Sequence, residues 1–312
     1  MKRKSFETFS LRKQFIDYPQ AAAAVDRLAA VHQDAKRTGL GRGLALLGPS
    51  GVGKTTALME YENRYLADYE FPGNRQPIVF VVVPSTPTPK SLGSATLAAM
   101  GDPLAHVTRH SAEERQARIV TLFEKLGTEL VIFDEAQHMV DHRKASREAV
   151  SDWLKNLLNV TGVAVVIAGL KRTENLLAAN EQLRRRFSAT SYYDRFSLDT
   201  QEDALAFVNL LVSFRDNLPV AALDFTEKSI LMRFYFASFG LIDYLIKVID
   251  RAVQIARDKR PAEIDLDILA RAFRDEIWSR APDVRNPFDR KFDGQPLIGH
   301  GEPFERFDQI AI

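Results

Sequence analysis

At 312 residues and 46% hydrophobic content the chain can bury one large core or two smaller ones; single domains run to roughly 100 to 200 residues, so two packed units are the default expectation. Its 42 lysines and arginines balance 41 acids, for a formal net charge of +1, so no field from the whole molecule draws it onto nucleic acid or membrane. Cysteine is absent, which excludes disulfides, zinc-thiolate sites and thiol catalysis and suits a reducing cytosol.

The N-terminal residues 1–11 are basic, but no apolar run of signal-peptide length follows them. The longest apolar stretches, residues 78–83 and 130–133, fall far below the roughly 20 residues a membrane helix needs, so a soluble, cytoplasmic protein is expected. Residues 21–37 carry Val25, Leu28 and Val31 at spacings of three, the stripe of an amphipathic helix ending at Gly39. GLALLG then predicts a short buried strand, followed by a Gly-rich turn and a helix, TTALMEYENRYLADY, closed by Pro72 and Gly73.

The run PIVFVVV is continuously apolar, as a parallel strand covered on both faces must be, and it stops at the proline-broken PSTPTPKSL. A helix over residues 112–126, a third strand in ELVIFDEA, a helix over residues 147–159 and a fourth strand in VAVVIAGL follow. EQLRRRF and SYYDRFSL lead out of this region, with a boundary near Leu198. Residues 201–277 read as all-helical, with Ala204, Phe207, Val208 and Leu211 on one face. From Ala281 onward charge, Gly, Pro and scattered Phe show no period, and a tail is predicted: either a disordered end or a docking peptide.

GPSGVGKT fits G-x-x-x-x-G-K-T and sits after a strand and before a helix, the context a phosphate-binding loop requires. Gly48, Pro49, Ser50, Gly51, Val52, Gly53, Lys54, Thr55 and Thr56 are the candidate ATP-binding residues. Backbone N–H groups close around phosphate oxygens, the helix N-terminus adds a positive dipole, Lys54 reaches the β- and γ-phosphates, and the Thr55 hydroxyl holds Mg²⁺. Strand three ends in Asp134 and Glu135, two carboxylates projected from the edge where open α/β sheets bind ligands. Asp134 is the second candidate for the Mg²⁺ shell, and Glu135 the residue that orients or deprotonates the attacking water.

Charge compensation of a transferring phosphoryl group calls for a further cation, and Arg184, Arg185 and Arg186 stand together after strand four, Arg185 favoured and Arg186 next. An arginine acting in trans implies a homo-oligomer, a ring or filament. Lys90, Arg143, Lys144, Arg147, Lys171 and Arg172 are basic candidates for DNA contact, none of them specific, and a solvated surface is the better reading of each.

The combination of GPSGVGKT, VIFDEAQH, VVIAGL and QLRRRF ahead of a helical region resembles the AAA+ ATPases over residues 18–277. IDYPQAAAAVDRL, VVVPSTPTPKSL, the short helix before Gly101 to Pro103 and the NPF tripeptide at residues 286–288 are similar to TniB/TnsC-type transposition regulators and, more distantly, to MuB. The resemblance implies a P-loop α/β fold, a three-layer α/β/α core with a parallel sheet followed by a small all-helical lid and a flexible C-terminal tail. Its divisions fall at residues 1–17 for a basic N-terminal segment, 18–198 for the ATPase core, 199–280 for the lid and 281–312 for the tail.

It further implies an ATP-dependent protein that oligomerises on double-stranded DNA and links a target-selector protein to a transposase. Gly48, Gly53, Lys54 and Thr55 match the family's Walker A, Asp134 and Glu135 its Walker B, and Arg184 to Arg186 its arginine-finger region; the tail resembles its transposase-contacting end. Two positions depart from the pattern. Ala168, Gly169 and Leu170 stand where many AAA+ proteins place a polar sensor, and SFGLIDYLIK offers Asp243 and Lys247 where relatives carry a lid arginine. Slow, regulated turnover is the expectation. A replication initiator or helicase loader remains the alternative, with a P-loop small-molecule kinase behind it.

Overall fold

The computed structural model describes residues 9–68, 73–141, 144–188, 190–259 and 263–305. Two compact units form: Gln20–Ser50 with Lys54–Asp194, and Met1–Pro19 with Gly51–Gly53 and Arg195–Ile312. The first is built on a sheet and the second on helices. Among the described residues no single helix is long and apolar enough to cross a membrane.

In the sheet unit, α1 (Pro19–Thr38) leads to β1 (Gly43–Leu47), α2 (Lys54–Asp68), β2 (Ile78–Val82), α3 (Pro89–Ala99), α4 (Ala112–Leu126) and β3 (Leu130–Asp134). Then come α5 (Lys144–Thr161), β4 (Ala164–Gly169), the short α6 (Glu174–Ala178) and α7 (Glu181–Arg184), and β5 (Ser191–Tyr192). All strand pairs are parallel and the order is β2-β3-β4-β1-β5. Every residue of β1, β3 and β4 is buried, which is why these strands read as unbroken apolar runs. Helices on the faces bring Leu92, Ile119, Phe123, Trp153 and Leu157 onto Val131, Phe133, Val165 and Ile167. Caps fix where the helices start: Thr88 with Ser91 opens α3 and Ser111 with Glu114 opens α4, each side chain satisfying the other's backbone N–H. β5 has no counterpart in the sequence reading; two residues are too short for a period-2 or apolar-run signal, and its existence depends on β1 beside it.

The helical unit contains α8 (Gln201–Asp216), α9 (Lys228–Ser238), α10 (Ile242–Lys259) and α11 (Leu266–Glu276). Phe207, Leu210, Leu211 and Phe214 form the buried stripe of α8. Residues 281–305, expected to be a tail, fold onto these helices. Their Asn286, Phe288, Leu297 and Phe304 are buried, the Asn286 amide donates to Ala270 O at 2.9 Å, and Phe288 meets Phe234 with ring centroids 5.1 Å apart. Scattered aromatics in a polar stretch carry no period because each fills a separate hole rather than one face. Residues 306–312 of that segment lie outside the described residues, as do residues 1–8 of the N-terminal one. Leu11 is buried in the same unit, with its N–H and the Ser10 hydroxyl both donated to the Asp250 carboxylate at 2.8 and 2.7 Å.

A buried polar cluster joins α1, α2 and the start of β3. The His32 ring, 1% exposed, has Nδ1 2.7 Å from the Tyr61 hydroxyl and Nε2 3.3 Å from Glu129 Oε2. Tyr65 donates to the same carboxylate, and Lys36 Nζ lies 3.0 Å from Glu129 Oε1. Burial pushes the imidazole down from 6.5 to about 4, outweighing the pull of Glu129 toward the charged form. A neutral His32 therefore contributes stability above pH 6.5 that is lost as the pH falls toward 4, because the unfolded chain takes up a proton that the fold refuses. Thermal melts across that window should show a steeper loss of Tm in the parent than in His32→Gln; parallel curves would contradict a buried neutral imidazole.

Candidate nucleotide site

The site grows from the carboxyl ends of β1, β3 and β4, where a parallel sheet opens its crevice. β1 runs into Gly48, whose N–H donates to Gly169 O at the end of β4 at 3.0 Å, so the phosphate loop starts where the two strands part. The loop turns into α2 through Gly53 at φ 102°, a conformation that a side chain would strain. α2 begins at Lys54, which directs the helix N-terminus and its unpaired N–H groups to the crevice.

Lys54 is 8% exposed, and its ammonium donates to the carbonyls of Gly48 at 2.9 Å and Pro49 at 2.7 Å. Burial lowers its pKa, with the Asp134 and Glu135 carboxylates opposing the shift. One residue on, the Thr55 hydroxyl donates to Asp134 Oδ2 at 2.7 Å. Asp134 is buried at the end of β3, and its other oxygen, Oδ1, accepts the N–H of Glu135 at 2.8 Å. Glu135 is exposed and stands in the left-handed region at φ 58° and ψ 32°. Holding a non-glycine residue there costs of order 1–3 kcal/mol, a strain that concentrates at functional sites.

The donors suit Mg²⁺ and a triphosphate. A hydroxyl and a carboxylate are hard oxygen ligands, few enough to leave most of an octahedral shell to phosphate oxygens and water, as Mg²⁺ prefers. Among the described residues no group of three or more His, Cys, Asp or Glu is arranged to hold a metal by itself. Ser50 and Thr56 are exposed at the loop and the first turn of α2.

The structure thus brings Lys54, Thr55, Asp134 and Glu135 together from separate parts of the chain. Arg184, Arg185 and Arg186 are elsewhere. Gly43 N–H donates to Arg186 O at 2.9 Å, which sets the three arginines at the amino end of β1, about 16 Å of strand away from the phosphate loop at its other end. Arg184 and Arg185 are exposed, Arg185 ion-paired to Glu181 one turn back at 2.5 Å, and Arg186 is half-buried. The basic DNA candidates have local partners: Lys90 donates to Thr108 O at 2.7 Å, Lys144 lies 3.8 Å from Glu148, and Arg172 pairs with Asp141 at 2.6 Å. Arg143 lies outside the described residues.

Sequence reasoning missed Gln137. It is 7% exposed, it donates from Nε2 to the Glu135 carboxylate, and its Oε1 accepts the N–H of Leu170 at 3.2 Å. Its position two residues after Glu135, in the turn that follows β3, was the only available signal.

A five-stranded parallel sheet in this order, with a phosphate loop after the fourth strand across and an acidic pair after the second, defines a P-loop protein of the AAA+ class. Solved structures share the fold. The ORC2 protein of Aeropyrum pernix, solved as ADPNP-ADP complexes, superposes with a TM-score of 0.62 at 16% identity, over 86% of this chain and 71% of that one. CDC6P from Pyrobaculum aerophilum gives 0.60 at 13% identity over 86% and 69%. The Aeropyrum pernix ORC1 protein, solved in complex with DNA, gives 0.59 at 18% identity over 82% of this chain and just under two thirds, 65%, of that one. A search of curated proteins returned no match. The chain belongs to the family described as bacterial TniB protein, whose model matches residues 8–195.

If Thr55 and Asp134 hold the metal, Asp134→Asn should weaken nucleotide binding in Mg²⁺ by roughly tenfold to a hundredfold while leaving binding in EDTA nearly unchanged. Fluorescent-nucleotide titrations with and without the metal measure that gap, and an unchanged gap would remove Asp134 from the shell.

Proposed function

We propose that this TniB-family protein is a Mg²⁺-dependent ATPase that assembles as a homo-oligomer on double-stranded DNA in the cytoplasm and couples a target selector to a transposase. The observation that carries the ATPase reading is the 2.7 Å contact between Thr55 and Asp134, flanked by the Lys54 ammonium and the Glu135 carboxylate. Thr55 and Asp134 would hold Mg²⁺, which would supply charge neutralisation for the phosphates. Lys54 exchanges its two carbonyl partners for phosphate oxygens, a substitution that its partial desolvation makes favourable. Glu135 faces solvent, so a water can reach it, and it orients that water and accepts its proton.

The homo-oligomer reading rests on the arginines. Arg184, Arg185 and Arg186 stand too far along β1 to reach the phosphates of their own chain, and Arg184 and Arg185 are exposed where a neighbouring copy can meet them. An arginine delivered to the neighbour's γ-phosphate would make assembly depend on ATP. DNA, transposase and selector as partners are what the resemblance to TniB/TnsC-type regulators implies, and the neutral net charge favours local backbone contact over a general attraction. A second reading, a replication initiator or helicase loader, is supported by the fold shared with ORC and CDC6P structures.

ATP or a slowly hydrolysed analogue, and not ADP, should drive assembly on double-stranded DNA as read by sedimentation or negative-stain imaging. Arg185→Ala should weaken both assembly and turnover, turnover by up to roughly a thousandfold. Glu135→Gln should keep ATP bound and prolong assembly. A monomer under every nucleotide condition would reject the oligomer, and normal turnover in Glu135→Gln would remove that residue from its role. Binding of the assembled protein to a transposase, rather than to a replicative helicase, separates the two readings.

A further inference from the structure

We propose that Gln137 is the positioning residue for Glu135, and that it supplies at the end of β4 the polar link that Ala168, Gly169 and Leu170 do not. The inference rests on the ATPase reading above and deepens it.

The carboxamide of Gln137 is spoken for at both ends. A carboxylate only accepts and a backbone N–H only donates, so an amide between them has one possible orientation, with Nε2 to Glu135 and Oε1 to Leu170. Gln137 is buried, so neither bond is exchanged readily for water. The backbone of β4 is shaped to receive it. A Cβ built on Gly169 would lie 2.8 Å from Gln137 Oε1, 2.9 Å from Gln137 N and 2.7 Å from the Thr173 hydroxyl, so any side chain there would displace the amide. The Thr173 hydroxyl is itself buried and has no hydrogen-bond partner among the described residues, which keeps the wall beside the amide polar.

Glu135 needs such a partner. Its backbone is held in the left-handed region, with its N–H tied to Asp134, while its side chain is exposed. With Oε2 held by Gln137, Oε1 is left to face a water, and the carboxylate is presented in one orientation instead of many. Because one amide makes both bonds, a shift of the Glu135 carboxylate is felt at the Leu170 N–H, 33 residues beyond Gln137. Positioning of this kind acts on the water in the transition state, so its loss falls on kcat and not on nucleotide affinity.

Three variants test this: Gln137→Leu, which removes both bonds; Gln137→Glu, which keeps an acceptor for Leu170 but repels Glu135; and Glu135→Ala. The readouts are kcat, KM, affinity for a slowly hydrolysed ATP analogue, and amide exchange at Leu170. Gln137→Leu and Gln137→Glu should lower kcat by roughly tenfold or more, with KM and analogue affinity within about threefold of the parent. Exchange at Leu170 should quicken in Gln137→Leu, stay slow in Gln137→Glu and quicken in Glu135→Ala, a response that a merely structural glutamine would not give. Parental kcat in Gln137→Leu, or Leu170 exchange that ignores Glu135→Ala, overturns this role alone. Absence of turnover in the parent protein overturns the ATPase reading and this role with it.

Discussion

The site depends on one contact between a helix start and a strand end, the hydroxyl of Thr55 against the carboxylate of Asp134. It joins a residue on the first turn of α2 to the last residue of β3, 79 positions later. β4 lies between β1 and β3 in the sheet, so the contact reaches across one intervening strand and is possible only if all three run parallel and end level with one another. The unbroken burial of β1, β3 and β4 enforces that: each strand must be covered on both faces, and the helices that cover it connect one parallel strand to the next.

The same parallelism separates the two kinds of charge. Acids and the phosphate loop gather at the carboxyl edge, and Arg184 to Arg186 come in at the amino end of β1. In the proposed reading these are the two halves of a phosphoryl-transfer site, set at opposite ends of one strand. In the proposed reading the halves meet only between copies, which makes assembly a condition of turnover rather than its consequence. The Gln137 link adds a local condition of its own, since the Glu135 carboxylate, which directs the water in the proposed reading, is tied through it to the end of β4.

Much of this was legible in the sequence wherever a single local pattern decides the outcome. GPSGVGKT after an apolar run and ELVIFDEA with its terminal acids could be read because loop glycines, a helix-opening lysine and a continuous strand leave local signatures. α4 was recovered to its end residues because its capping box and the Gly127 stop are both written locally. Gln137 was not recovered, since its role comes from Leu170 and Gly169 on another strand, and a glutamine after DEA has no periodicity to betray it. β5 is created by its neighbour β1. Phe288 and Phe304 looked like decoration on a tail because the holes they fill belong to α9, α10 and α11, which no local window includes. Family resemblance, not spacing, supplied the DNA and transposase partners.

Everything proposed here requires a nucleoside triphosphate between Lys54 and the acidic end of β3. Calorimetric titration of the full chain with Mg²⁺ and a slowly hydrolysed ATP analogue measures that directly, with Lys54→Ala alongside. Saturable heat in the parent, lost in Lys54→Ala while its melting temperature is retained, is the result the account predicts; no heat in the parent, or equal heat in both proteins, would contradict it.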